Sequence, residues 1–161
     1  MSKIDHAGFM RIAVDLAYKG MDGGHGGPFG AVIVKDGKII GKGYNRVLLD
    51  NDPTAHAEMT AIRAASAKIK GFNLSGSVIY ASGFPCPMCM SAIFCGRIDK
   101  VYYACSSQDN SAIGFDDQKF YRQLELPPGE RDTHLVQLTQ CYDDALKCYA
   151  TWFESAARTP Y

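Results

Sequence analysis

A three-layer α/β domain with a central mixed sheet of about five strands is the fold this sequence predicts. Two observations lead there. The periodic segments run helix, hairpin, helix, strand, helix, strand, an order that places helices on both faces of one sheet. The strand–helix–strand passages around Val78 and Lys100 require parallel neighbours, whereas the hairpin supplies an antiparallel pair. A length of 161 residues suits a single domain spanning 1–161, large enough to bury one core.

The first element covers His6 to Tyr18. Phe9, Met10, Ala13, Val14, Leu16 and Ala17 recur at helical spacing, and Asp5 is a suitable cap. Gly20 to Gly27 then reads as a glycine-rich loop; it lacks the GxGxxG order and follows a helix where a dinucleotide fingerprint needs a strand. Ala31–Val34 and Lys38–Ile40 flank Asp36-Gly37, a strong short hairpin signal. Thr54 to Lys68 follows as a helix with Met59, Ile62 and Ala65 on one face. Val78–Tyr80 is a short buried strand, and Met88–Phe94 a helix opening after Pro87, where proline's missing N–H costs nothing. Strands at Lys100–Tyr103 and His134–Leu138, a loop at Pro127-Pro128-Gly129 and a helix from Tyr142 to Ala157 complete the chain.

Composition narrows the function. Hydrophobic residues make up 47% and charged residues 21%, an ordinary globular balance. With 17 basic and 17 acidic residues and no basic stripe, the chain lacks the electrostatic footprint of a nucleic-acid binder. No signal-like start or membrane-length apolar run is read, so a cytoplasmic setting is expected, with the six cysteines (86, 89, 95, 105, 141 and 148) reduced.

The chemistry concentrates in His56-Ala57-Glu58 and Pro85-Cys86-Pro87-Met88-Cys89. Two thiolates and an imidazole suit Zn²⁺, and three protein ligands leave the fourth position that a catalytic site keeps for water. Helix openings at His56 and between Cys86 and Cys89 would converge on one ion, their partial positive charge favouring thiolates. Glu58 is not needed as a ligand and is placed to move protons. The spacing is the signature of the zinc-dependent base deaminases, in which the Glu is the acid/base. A redox dithiol would explain the CxxC but not the upstream His-x-Glu. A closed structural zinc site, as in a binding module without catalysis, would want a fourth ligand, for which Cys95 and Cys105 are the candidates. His6, His25 and His134 have no such company.

Around these motifs, Gly26 to Gly37, Asn51 to Glu58, Pro85 to Cys89 and Gly114-Phe-Asp-Asp117 together resemble bacterial guanine deaminases of the cytidine deaminase-like superfamily. The likeness runs from about Gly26 to Asp117 and is weaker beyond, apart from the terminal Tyr161. It implies the three-layer cytidine deaminase-like fold, a homodimer, and one Zn²⁺ per subunit with a bound water or hydroxide. The hydroxide attacks the ring carbon bearing the amino group, so that guanine becomes xanthine and ammonia. It further implies that Phe29, Asn45, Ala57, Asp117 and Tyr161 bind substrate, with Tyr161 carried into the partner's pocket by an exchanged segment of about 142–161.

Each of these residues also has a plainer reading from its surroundings: Phe29 seals a strand end, Asn45 satisfies a turn, Asp116 caps a helix and leaves Asp117 solvated, and Tyr161 is a terminus. Phe84 departs from the Glu that commonly precedes the Pro-Cys of this motif. It either reshapes the pocket wall or packs behind it, which leaves the metal chemistry intact and opens the choice of ring. Guanosine, another purine, an aminotriazine or cytosine are rival substrates, and a tRNA adenosine a remoter one.

Overall fold

The computed structural model describes residues 4–161, in two compact units that divide after Tyr121. The first unit holds a four-stranded sheet in the order β2-β1-β3-β4, formed by β1 (Gly30–Lys35), β2 (Lys38–Tyr44), β3 (Ser77–Gly83) and β4 (Lys100–Cys105). β1 pairs antiparallel with β2 and β3, and β3 pairs parallel with β4, so the mixed sheet and its crossover agree with the sequence reading. Four strands replace the expected five.

The missing strand is His134–Leu138, which lies in the second unit without ladder pairing. Leu135, Val136 and Leu138 are exposed there. An alternating apolar pattern becomes a strand only when a neighbour accepts its backbone hydrogen bonds, and sequence reports the pattern alone. Besides two 3-10 turns at Pro128–Glu130 and Thr139–Cys141, this unit contains a helix at Tyr142–Glu154.

Each face of the sheet is covered, and alternation along β1 sorts the residues. Val32 and Val34 point with Tyr80 toward α1 (His6–Asp22), packing on Ala13 with Phe9, Met10 and Leu16 alongside. Ala31 and Ile33 point the other way, into a cluster with Ala57, Ala61 and Ala65 of the helix Ala57–Ile69 and Ile93 of the helix Pro87–Cys95. A four-residue helix, α2 (Val47–Asp50), precedes these, so they are α3 and α4 in chain order. The expected cap Asp5 accepts a 2.8 Å hydrogen bond from the Gly8 N–H. α1 runs on to Asp22, four residues past its predicted end, because buried Gly20 sits against the Tyr44 ring where a side chain would collide.

α3 lies unusually close to β2. A Cβ on Gly43 would strike the Ala57 carbonyl and the Ala61 N–H, and one on Gly41 the Ala61 carbonyl. Glycine below and alanine above bring the helix backbone down onto the strand, which fixes the height of its N-terminus. Asp36 and Gly37 both take positive φ (51° and 72°), the left-handed pair a two-residue hairpin needs. Two short helices follow β4: α5 (Ser107–Ala112), which sequence left unread and which is closed by a reciprocal Ser106–Asp109 capping box, and α6 (Gln118–Glu125), the helix expected to open at Asp116. The helix Tyr142–Glu154 is therefore α7. Among the described residues no helix is long and apolar enough to cross a membrane.

Candidate active site

The start of β1, the end of β2 and the end of β3 lie at one edge of the sheet, where α3 and α4 begin. His56 is the N-cap of α3 and Cys86 the N-cap of α4, so the two helix openings do converge. His56 makes no side-chain capping bond, which leaves its imidazole for other work. Cys86 Sγ and Cys89 Sγ lie 3.5 and 3.6 Å from His56 Nδ1. A tetrahedral zinc with ~2.3 Å bonds to sulfur and ~2.0–2.1 Å to nitrogen separates S and N by ~3.5 Å, so the three atoms fit that ion. Among the described residues His56, Cys86 and Cys89 are the group that can hold a metal. Cys95 and Cys105, the candidates for a fourth, closing ligand, are exposed and lie outside it.

The electrostatics match a cation site. Cys86 is drawn down to about 4, chiefly by its hydrogen bond with Cys89, and then by His56. The same bond holds the Cys89 thiol up, with burial adding to it. Two thiols this close compete for one negative charge, and a dication between them favours thiolate on both. His56 is raised, first by its bond to Cys86. Glu58, at the second position of α3, is 7% exposed, and burial raises its proton affinity. Its Oε2 lies 3.4 Å from Cys89 Sγ, beside the ligands rather than among them.

Phe29, Asn45, His56, Glu58, Phe84, Cys86, Asn110, Phe115 and Asp117 line one recess. Three of the residues predicted to bind substrate thus lie at one recess with His56 and Cys86, and some of the plainer readings hold there as well. Phe29 directly precedes the first residue of β1 and also meets Phe115 edge-to-face at 4.9 Å. Asn45 accepts from the Val47 N–H through Oδ1 at 3.2 Å, serving its turn, while the residue remains at the recess. Asp117 is partly buried, its proton affinity raised chiefly by that burial and next by Cys86. The Ser111 hydroxyl donates to Asp116 Oδ1 at 3.4 Å. Ala57 is fully buried with its methyl in the core cluster and is not among the residues lining the recess. Tyr161 belongs to the second unit and is 91% exposed.

Phe84 does both things that sequence left open. The residue is part of the recess lining, and its ring packs edge-on against Tyr103 at 5.1 Å, with Tyr121 at 6.2 Å. Sequence reading missed Asn110, Phe115 and Tyr121. Phe115 stood inside the Gly114-Phe-Asp-Asp117 motif and could have been found there, whereas nothing local marked the other two.

Residues 3–105 match the family model of the cytidine and deoxycytidylate deaminase zinc-binding region. The chain is 42% identical over 158 residues to the guanine deaminase of Bacillus subtilis (strain 168), covering 98% of this chain and all of that protein. The X-ray structure of guanine deaminase from Bacillus subtilis superposes with a TM-score of 0.92 at 43% identity, over 98% of this chain and 99% of that one. A tRNA-specific adenosine deaminase of Haemophilus influenzae is 40% identical over 126 residues, covering 74% of this chain and 72% of its own length. A further structural neighbour, solved in complex with 2,6-diaminopurine, gives a TM-score of 0.65 at 32% identity, over 68% of this chain and 61% of that one. The chain therefore belongs to the zinc-binding cytidine and deoxycytidylate deaminase family, whose members are hydrolytic aminohydrolases. Within that family it is a homologue of guanine deaminase.

Proposed function

We propose that this aminohydrolase converts guanine to xanthine and ammonia, a step of purine breakdown, in the cytoplasm. The observation that carries the reading is the meeting of Phe29, Asn45 and Asp117 with Glu58 at one recess, in a chain similar from end to end to a guanine deaminase. Guanine presents ring N–H and amino donors together with carbonyl and ring-nitrogen acceptors. Asp117 can only accept when ionised and suits the donor edge; the Asn45 amide suits the acceptors, as does the backbone N–H of Ala57 at the first position of α3. Phe29 and Phe115 offer aromatic surface to the base.

His56, Cys86 and Cys89 would hold the zinc, which would supply a Lewis acid that lets a water ionise near neutral pH. Water adds its oxygen to the carbon bearing the amino group, and Glu58 takes the proton shed. Glu58 passes this proton to the adjacent ring nitrogen. It then takes the second proton from the added oxygen and delivers it to the departing amine, which leaves as ammonia. Burial, which raises the proton affinity of Glu58, suits a group that must both accept and return a proton.

The whole chain, 1–161, acts on this reading as one deaminase domain in a homodimer that exchanges its C-terminal segments, about 142–161, so that Tyr161 closes the partner's pocket. The apolar side chains that α7 exposes, Leu146, Tyr149, Trp152 and Phe153, support it.

An ammonia-release screen of the zinc-loaded protein against guanine, guanosine, adenine, cytosine and aminotriazines tests the substrate. Guanine should be preferred by kcat/KM; preference for any other ring overturns the assignment. Inosine formation in tRNA, with binding that falls steeply as salt rises, would instead place the chain with its tRNA-deaminating relatives. Light scattering should give a dimer, and removing the last few residues should raise KM or lower turnover. A monomer, or unchanged kinetics, retires the exchanged tail.

A further inference from the structure

The two backbone carbonyls that directly precede the ligand Cys86 are each held by a side chain from the segment that carries Phe115 and Asp117. The Asn110 side-chain amide donates to the Phe84 carbonyl at 3.0 Å, and the Tyr121 hydroxyl donates to the Pro85 carbonyl at 2.9 Å. These residues stand 26 and 36 positions away in the chain. They also bracket the substrate segment. The Asn110 carbonyl accepts from the Phe115 N–H at 3.0 Å, and the Tyr121 N–H donates to the Asp117 carbonyl at 3.3 Å. Asn110 is 4% exposed, so no solvent competes for its amide. The Phe84 ring packs against Tyr103 and against the ring of the donor Tyr121.

We infer that Asn110 and Tyr121 are positioning residues that clamp the metal-ligand turn to the substrate segment, setting the distance between Cys86 and Asp117. Tyr121 lies outside the recess lining, and Asn110, which is part of it, spends its amide N–H on the Phe84 carbonyl; both act through the Phe84 and Pro85 carbonyls on one side and through the 113–117 loop on the other. The inference rests on the aminohydrolase reading of the site, and Phe84 acquires a purpose through it. An aromatic ring at that position packs on both Tyr103 and Tyr121, contacts a carboxylate could not make.

The test uses Tyr121→Phe, which keeps the ring against Phe84 and removes only the hydroxyl, and Asn110→Ala, each in the full-length protein loaded with Co²⁺ in place of zinc. The visible ligand-field bands of the Cys₂His cobalt site report the geometry of the Cys86 turn with no substrate present. Both variants should shift those bands while binding one metal per chain. With zinc, kcat/KM should fall roughly 2- to 10-fold per hydrogen bond, and the double variant should lose less than the product, because both donors hold one turn. Unchanged cobalt spectra and unchanged kinetics in Tyr121→Phe overturn the clamp, as does a loss of thermal stability with the spectrum intact. If Asn110→Ala fails to fold, Tyr121→Phe decides alone. Should the protein prove inert toward guanine, the cobalt spectra still read the clamp, so the two failures are separable.

Discussion

Replacing Glu58 with Gln removes one proton acceptor and almost nothing else. The side chains are nearly isosteric, and Glu58 is 7% exposed at the second position of α3, packed beside Cys89. At the 3.4 Å contact the amide can accept from a Cys89 thiol or donate an N–H to its zinc-bound thiolate. Zinc content and melting temperature should therefore match the parent. The chemistry should not. Positioned proton transfer contributes about 10²–10⁴-fold, and Glu58 serves it at more than one step of deamination. Burial denies bulk water easy access to replace it, so the loss should fall toward the upper end, near 10⁴-fold in kcat, or about 5.4 kcal/mol at ~1.36 kcal/mol per decade. Coupled ammonia detection under saturating guanine measures kcat, and atomic absorption on the same sample measures zinc. A variant with full zinc and kcat within a few-fold of the parent would refute the role of Glu58. One that has lost its zinc would show that the carboxylate supports the metal instead.

The remaining expectations follow from the same geometry. Cys86→Ser should abolish stoichiometric zinc after dialysis and activity with it, because Cys86 is a ligand and also caps α4 through its sulfur; full metal retention would contradict the ligand set. Asp117→Asn should reduce kcat/KM for guanine roughly 10- to 150-fold, the loss of a hydrogen bond to a charged group, at unchanged zinc content. Equal activity would remove Asp117 from substrate recognition. Gly43→Ala should destabilise the protein by about 1–3 kcal/mol in urea unfolding, since its methyl drives α3 off β2, and should weaken zinc binding as His56 moves with the helix. Normal zinc affinity would show that the N-terminus of α3 is held independently of the Gly43 contact.

How much of this was legible beforehand depended on the range of the interaction involved. Positive φ at Asp36 and Gly37 and the Pro87 opening of α4 are local, and both were read directly. Ala31–Val34 was legible as a strand, but all four residues are apolar, so which side chain joins which core was shown only by the layers packed on either face. His134–Leu138 failed for the complementary reason: its pattern is strand-like, but a strand exists only when another segment pairs with it. The extension of α1 through Gly20 likewise depended on Tyr44, far along the chain.

The sequence by itself determined the metal and the reaction class. His56, Glu58, Cys86 and Cys89 carry chemistry in their residue types, and their spacing at two helix openings needs only local folding to aim it. The tertiary structure decided what surrounds that centre. It placed Phe84 at the recess and against Tyr103, half-buried Asp117 and not its neighbour Asp116 in the pocket, and brought Asn110 and Tyr121 onto the carbonyls before Cys86. Those contacts join residues up to 36 positions apart, and no periodicity or motif encodes a distance that only packing sets.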